Sequence, residues 1–396
     1  MIFAHKIAVD LTDAQEAYCR KAAGTARFTY NWALAEWKRQ YRDGEKPTAA
    51  KLKVQWNGLK HEHYPWVDDV HKDANQQPFT HLNTAFQKFF RHEAHYPTFK
   101  KKGQHDRFYI SNDKCAVQGK RFRIPCLGWV RMREALRFEG KLMSAVVSRT
   151  ADRWYVSLAV RIDTMPTPCE NQAGRVGVDL GVKTLATLST GQQIEGQKPL
   201  QAVLRQLRRL NRQLARRHKF SANWYKTKTR LARQHARIAA IRADALHKLT
   251  TTLTRSYEQI VIEDLHVKGM VRNHKLARAI SDMGLGMFRR MLTYKAAAYG
   301  AHVIVADRWF PSSKMCRACG VLHEDLILKD RVFVCPACGH TEDRDLHAAK
   351  NLYTYPGLQG NDNVCGLLSA GQERMSPGET RQEEAETMKR AHVRTF

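Results

Sequence analysis

The sequence lacks any apolar run of membrane-spanning length, and its first residues, MIFAHKIAVDLTDAQ, lack the apolar core of a signal peptide. No secretory signal or membrane span is read here, and a cytoplasmic chain with reduced thiols is expected. No Walker A sequence is present, so ATP hydrolysis has no support. His92 and His95 stand three apart and not four, which excludes the His-Glu-x-x-His zinc motif. Acidic residues are few: 38 Asp plus Glu stand against 66 Lys plus Arg, a net charge of +28. An excess of that size points to a polyanionic partner, most simply nucleic acid, ahead of a merely basic surface. Of the nine cysteines, Cys19, Cys115, Cys126, Cys169 and Cys365 are scattered and read as buried or inert thiols.

At 396 residues and 43% hydrophobic, the chain can build two or three domains around a sizeable core. Phe3 to Val9 reads as a short strand. Thr12 opens a helix, and Gln15 three positions later completes a capping box. A second helix is expected from about Thr25 to Tyr41, carrying Phe28, Trp32 and Trp37 on one face. That aromatic stripe suits a helical core better than base stacking. Further helices fill Pro47 to Arg91, with Leu82, Phe86 and Phe89 spaced for burial. Lys100, Lys101, Lys102 and Arg107 suit a phosphate backbone and a solvated loop equally. From Phe108 to Arg161 the texture changes to strands (FYIS, FRIP, SAVVSRT, RWYVSLAV), which predicts a small β-barrel or curled sheet. The segment DTMPTPCENQAG then reads as a linker.

Residues 175–189, RVGVDLGVKTLATLS, read as a β-hairpin whose first strand ends in Asp179. A carboxylate at the end of a buried strand is costly unless a cation sits on it. Two long helices follow. Val203, Leu207, Leu210 and Leu214 form a heptad-like seam, and the second helix is expected from about Asn223 to Arg255. Between Gln201 and Thr250 there are fourteen Lys or Arg and one acid, Asp244. Water-exposed helices usually mix their charges, so this pair reads as a nucleic-acid contact. The next strand, Gln259 to Leu265, repeats the earlier pattern: Ile260, Val261 and Ile262 lead to Glu263. A helix from about Lys275 to Tyr299 and a strand from His302 to Ala306 are expected beyond it.

Cys316-x-x-Cys319 and Cys335-x-x-Cys338 are separated by fifteen residues. Two matched pairs of thiolates, each followed by a glycine (Gly320, Gly339), specify a closed tetrahedral zinc site, structural and not catalytic. Directly afterwards Asp345 opens a helix in which Ala348, Ala349 and Leu352 face inward. Beyond Pro356 large apolar residues are few, so 357–396 reads as a disordered tail. Three carboxylates, Asp179, Glu263 and Asp345, thus end or start elements that look buried. Brought together they would repel and take up protons unless divalent cations neutralised them. Mg²⁺ favours such oxygen donors, and two such ions suit phosphodiester cleavage. Asp264, Asp307 and Asp343 read as solvated or structural neighbours.

The ordered set GVDLGVKTLATLS, VIEDLHVKGM, LARAISD, FPSSKMCRACG, VFVCPACGH and DRDLHAAKNL resembles the TnpB family of transposon-encoded, RNA-guided nucleases related to type V CRISPR effectors. Weaker matches, RFTYNWALAEWKRQY and YPTFKKKG, extend the resemblance over Met1 to Tyr355. It implies a fold of α/β, all-α and β parts. A wedge-like β-barrel would span 1–10 and 106–165, and a helical recognition region 11–105. An RNase H-like RuvC domain would span 175–310 and 341–356, including the basic helical hairpin 197–255, with a zinc ribbon inserted at 311–340. The family's catalytic, magnesium-binding acids fall on Asp179, Glu263 and Asp345, and its zinc ligands on Cys316, Cys319, Cys335 and Cys338. A guide RNA and a double-stranded target DNA are the implied partners, with one protein per RNA. In the last motif the family pattern usually carries Asn where this chain has His347. That departure leaves room for an RNA-guided binder that does not cut. A transposase acting on transposon ends is the third reading, since an RNase H-like acidic site can join strands.

Overall fold

The computed structural model describes residues 1–104, 106–162, 173–327 and 329–356. Most of the expected linker and the whole of the expected tail, with Cys169 and Cys365, lie outside the described residues. Two units divide the chain between Asp163 and Thr164, and each is described by itself.

In the first unit β1 (Ile2–Asp10) leads into α1 (Asp13–Arg42). Thr12 caps that helix: its side chain accepts from the Gln15 amide while the Gln15 side chain returns to the Thr12 amide. The two helices expected here are one. Gly24 lies within α1 and costs only about 1 kcal/mol relative to Ala, less than the packing of the helix recovers. Helices α2 (Ala49–His63) and α3 (Asp73–Phe90) pack with α1. The aromatic stripe is core: Trp37 stacks on Phe86 with centroids 4.0 Å apart, and Trp32 meets the fully buried Trp56 at 5.0 Å.

Six strands complete the unit: β2 (Arg107–Ser111), β3 (Ala116–Gln118), β4 (Arg121–Ile124), β5 (Gly128–Met132), β6 (Lys141–Thr150) and β7 (Arg153–Arg161). With β1 they form a sheet in the order β2-β6-β7-β1-β5-β4-β3. β2 and β3 are its edges, so among the described residues the sheet is open: of the two expectations, a β-barrel or a curled sheet, the barrel does not close. Two of its strands, β3 and β5, were not expected; GWVRM is short and interrupted by charge. Alternation decides the inner face. Val156, Leu158 and Val160 are buried along β7, and Phe108 and Ile110 along β2. Cys19 is buried there, whereas Cys126 is exposed, in a turn at φ +63°.

The second unit is built on β8 (Ala173–Leu180), β9 (Ala186–Leu188), β10 (Gln193–Ile194), β11 (Tyr257–Glu263) and β12 (His302–Ala306). Their order is β10-β9-β8-β11-β12, with β8, β11 and β12 parallel and β9 and β10 antiparallel. Between β10 and β11 runs the helical hairpin α4 (Pro199–Arg216) and α5 (Ala222–Ser256). Leu207 and Leu210 of the expected seam are buried. After β11 come α6 (Val267–Met270), α7 (Ala277–Met283) and α8 (Leu285–Tyr299). The single helix expected over the last two breaks at Gly284 (φ +73°), where a Cβ would meet the Arg242 side chain at 2.9 Å. The small ladder β13 (Val332–Val334) and β14 (Thr341–Asp343) precedes α9 (Arg344–Thr354).

The two faces of this sheet differ. Val176, Val178, Ile260 and Ile262 point into one core with α5 and α8 residues. On the other face Val261 packs against Leu352 of α9. By the two-residue period, Gly177, Asp179 and Glu263 share that second face with Val261. No helix among the described residues is long and apolar enough to cross a membrane.

Candidate acidic site and cysteine cluster

Strands β8 and β11 run parallel with Val178 beside Ile262, so the next residues, Asp179 and Glu263, stand side by side at the strand ends. Adjacent strands lie about 4.8 Å apart. Helix α9 crosses the same face, and Gly177 lets it come close: a Cβ there would lie 2.0 Å from the Ala349 carbonyl oxygen. Asp343 caps α9, its carboxylate accepting from the amides of Asp345 (3.1 Å) and Leu346 (3.0 Å). Asp345 therefore enters in the first turn, facing the two strand ends.

Asp179 feels both of the other acids. Asp179 has a carboxyl pKa well above the usual range, first because it is surrounded by protein, then because Glu263 and Asp345 lie close; Arg344 opposes this. Glu263 is raised as well, again chiefly by burial, while a hydrogen bond from Ser312 and the charge of Arg344 pull it down. Ser312 Oγ donates to Glu263 Oε1 at 2.6 Å and so fixes that carboxylate. Arg344 is itself held by the carbonyls of Ile327 and Asp330. The neighbouring Asp264 is a different kind of group: Arg289 (2.5 Å) and Arg308 (2.6 Å) hold it ionised, below the usual carboxylate range. Asp307 accepts from the Trp309 amide and is structural. Ser312 and Arg344 were not singled out in the sequence. Arg344 could have been, standing beside Asp345; Ser312 carries no sequence signal of its role.

The four cysteines converge. Sγ atoms of Cys316 and Cys338 are 3.7 Å apart, those of Cys319 and Cys335 are 3.5 Å apart, and all four lie within 4.8 Å of one another. A tetrahedron with Zn–S of about 2.3 Å has S–S edges of about 3.8 Å, so the donor set fits zinc. Gly320 (φ +76°) and Gly339 (φ +70°) supply the left-handed turns of the two knuckles.

His347 does not line the acidic site. It is fully buried, stacked on Phe333 at 3.9 Å, and its Nε2 donates to the Met315 carbonyl at 2.8 Å. Asn351 donates to the same carbonyl and to that of Ser312, both at 2.7 Å. Helix α9 is thereby tied to the chain just before Cys316. Ligand atoms of His340, Glu342 and His347 also gather within 4.8 Å, but Lys350 and Arg317 already neutralise Glu342 there.

Among the fourteen cations expected on one face, several serve structure. Arg217 bonds the Asn223 carbonyl and Thr227, Arg242 pairs with Asp282 at 3.0 Å, and Lys248 pairs with Asp244 at 2.7 Å. Asp282 in turn accepts from the Leu200 and Gln201 amides and caps α4. Arg205, Arg208, Arg209, Arg212 and Arg216 are exposed. In the first unit Lys101 and Lys102 are exposed, whereas Lys100 Nζ rests 3.5 Å over the Tyr30 ring, its pKa lowered to about 8 by burial and then by Arg107.

A family model described as "Probable transposase" (OrfB_IS605) matches residues 157–274, and one described as "Cas12f1-like, TNB domain" matches 286–352. A relative in Streptomyces pristinaespiralis named "Putative RNA-guided DNA endonuclease" is 36% identical over 90% of this chain and 89% of its own. The chain belongs to the OrfB_IS605 (TnpB) family. A second TnpB-family relative, from Escherichia coli strain K12, is named "Putative RNA-guided DNA endonuclease InsQ" and is 35% identical over 85% of this chain and 88% of its own. The fold of this TnpB-family chain is similar to that in a Cas12f1–sgRNA–target DNA complex (TM-score 0.52, 14% identity, covering 86% of this chain and 83% of that one). A model described as "Helix-turn-helix domain" matches residues 1–46. Within that span the structure has one strand and one uninterrupted helix.

Proposed function

We propose that the chain is an RNA-guided DNA endonuclease of a transposable element, cutting phosphodiesters at Asp179, Glu263 and Asp345. The observation that carries this is the convergence of the three acids and the raised proton affinity of two of them. Carboxylates so placed need cations, and hard oxygen donors suit Mg²⁺. These residues would hold magnesium, two ions being the expected number, which supplies activation of a water and stabilisation of the leaving oxygen. The protein's own part is positional. Ser312 sets the Glu263 rotamer, Asp343 sets the first turn of α9, and Arg344 offsets the mutual repulsion of the acids.

Cys316, Cys319, Cys335 and Cys338 would hold zinc in a ribbon over 311–340, inserted in an RNase H-like domain over 175–310 and 341–356. The antiparallel run β8-β9-β10, with β11 and β12 parallel to β8, supports that reading of the second unit. The helices of 11–105 would form the recognition region, and the curled sheet of 1–10 and 106–165 the wedge. A guide RNA would select the double-stranded target by base pairing, with one protein per RNA, in the cytoplasm. The exposed arginines of α4 would hold the backbone. The non-cutting alternative rested on His347, which points away from the acids. Incubation of the RNA-bound protein with matched DNA and Mg²⁺ tests the proposal. Cleavage that Asp179→Ala removes is expected; no cleavage by the wild type, or undiminished cleavage by the variant, refutes it.

A further inference from the structure

The turn between α4 and α5 is built to hold aromatic rings in solvent. Phe220 occupies the left-handed region at φ +68° and is 70% exposed. A bulky L-residue pays strain there, and such strain persists only where the surroundings over-determine it. Here they do. The Ser221 side chain accepts from the Trp224 amide at 3.2 Å and caps α5, while Arg217 closes the turn through the Asn223 carbonyl and Thr227.

The rings form a chain. Phe220 and Trp224 have centroids 5.6 Å apart, Trp224 and Tyr225 5.1 Å apart, and Tyr225 is 51% exposed. None of the three belongs to a hydrophobic core among the described residues. Lys228 Nζ lies 4.9 Å over the Trp224 ring, and Lys219 and Lys226 are exposed beside it. Not one acidic residue occurs from Gly196 to Ala243. Exposed and half-exposed aromatics on a stretch that carries cations and no acids suit a partner with flat apolar faces and a negative backbone, which is single-stranded nucleic acid. A duplex hides its base faces, and a neutral protein surface leaves the cations unpaired.

We propose that Phe220, Trp224 and Tyr225 form a stacking platform for an unpaired base of the guide RNA. This rests on the proposed function, because the RNA is the single-stranded partner which that function assigns. Stacking makes a prediction that charge does not: removing rings weakens binding without changing its salt dependence, since no phosphate contact is lost.

The test uses the full chain expressed with its RNA. Phe220→Gly and Tyr225→Ala are combined, and glycine is chosen because it adopts φ +68° freely. RNA affinity is expected to fall about tenfold, with the slope of log Kd against log salt unchanged and Tm equal to or above that of the wild type. In the wild type, ultraviolet irradiation is expected to crosslink the 220–225 turn to RNA. Unchanged affinity with Tm retained overturns the platform while leaving the nuclease reading intact, and so does a crosslink from this turn to DNA alone. A wild type that carries no RNA overturns the guide reading, and the platform with it.

Discussion

Gly177 is the position at which strand geometry and the acidic site can be separated by a single methyl group. A Cβ at Gly177 would stand 2.0 Å from the Ala349 carbonyl oxygen and 2.5 Å from the Tyr353 amide nitrogen. Both are backbone atoms of α9, so no side chain can swing aside. Ordinary carbon contacts are about 3.5 Å or more, and α9 must recede from β8 by about 1.5 Å to restore one at the Ala349 carbonyl. Overpacking of this kind costs about 1–3 kcal/mol, and each kcal/mol lowers Tm by about 2–4 °C in a unit of this size. The same movement carries Asp345 away from Asp179 and Glu263, and a 1 Å misplacement costs about 10²-fold in rate. Gly177→Ala is therefore expected to lower Tm by several degrees and single-turnover cleavage by about two orders of magnitude, with RNA binding retained. Gly174→Ala is the control. It lies on the same strand with nothing within 4 Å of the added Cβ, and its effect should stay within about 0.5 kcal/mol. If Gly177→Ala melts and cuts like the wild type, the close approach of α9 does not set the acidic site.

Asp179 also governs a pH dependence. Its pKa is raised in the folded state, so its contribution to stability is fully present below the unfolded carboxylate pKa and is lost as pH rises through the folded value. In magnesium-free buffer Tm should fall as pH climbs above the ordinary carboxylate range. Asp179→Asn should flatten that slope, and an equal slope in the variant would refute the assignment. Saturating Mg²⁺, at about 100 times its Kd, should add about 2.7 kcal/mol to the wild type and clearly less to the variant. Cys335→Ser should reduce bound zinc, measured by elemental analysis, and abolish cleavage, because Met315, which anchors α9, immediately precedes Cys316; full cleavage without zinc would contradict this. His347→Asn should lower Tm, since the ring loses its stack on Phe333, yet leave cleavage within about tenfold, as a positioning change short of 1 Å would. A complete loss of cleavage would place His347 in the chemistry.

Strand-end carboxylates were legible because two short β-branched runs each terminate in an acid, and burial at such a place has few explanations. The cysteine pairs were legible for the same reason: matched spacing leaves little freedom. Long-range replacements of local signals were not. Gly24 gives the same local signal as Gly284, yet α1 continues through the first and the helix breaks at the second. The difference is tertiary: a side chain at Gly284 would collide with Arg242 and Leu246, whereas one at Gly24 would meet only the end of the Arg27 side chain at 3.7 Å. Likewise no period in the sequence says whether a run of strands closes. The edges β2 and β3 become visible only once each strand has found its neighbours.

The site shows where such reading stops and why. Three acids can be named from sequence, but what makes them a site is held by residues without a signature. Gly177 admits α9, Ser312 fixes Glu263, Asp343 aims the first turn, and Arg344 opposes the raised proton affinity of Asp179 and Glu263. His347 drew attention as a departure inside a motif, and its position two residues after Asp345 left its direction open. The structure turns it to the far side of α9, where it does a hydrogen-bonding task that an amide could share, donating to Met315 beside Asn351. A helix has two sides, and a motif read as a string merges them. Here one side carries the proposed metal-binding acid and the other carries the tie to the cysteine cluster, so the spacing DRDLHAAKN encodes two contacts through one helix.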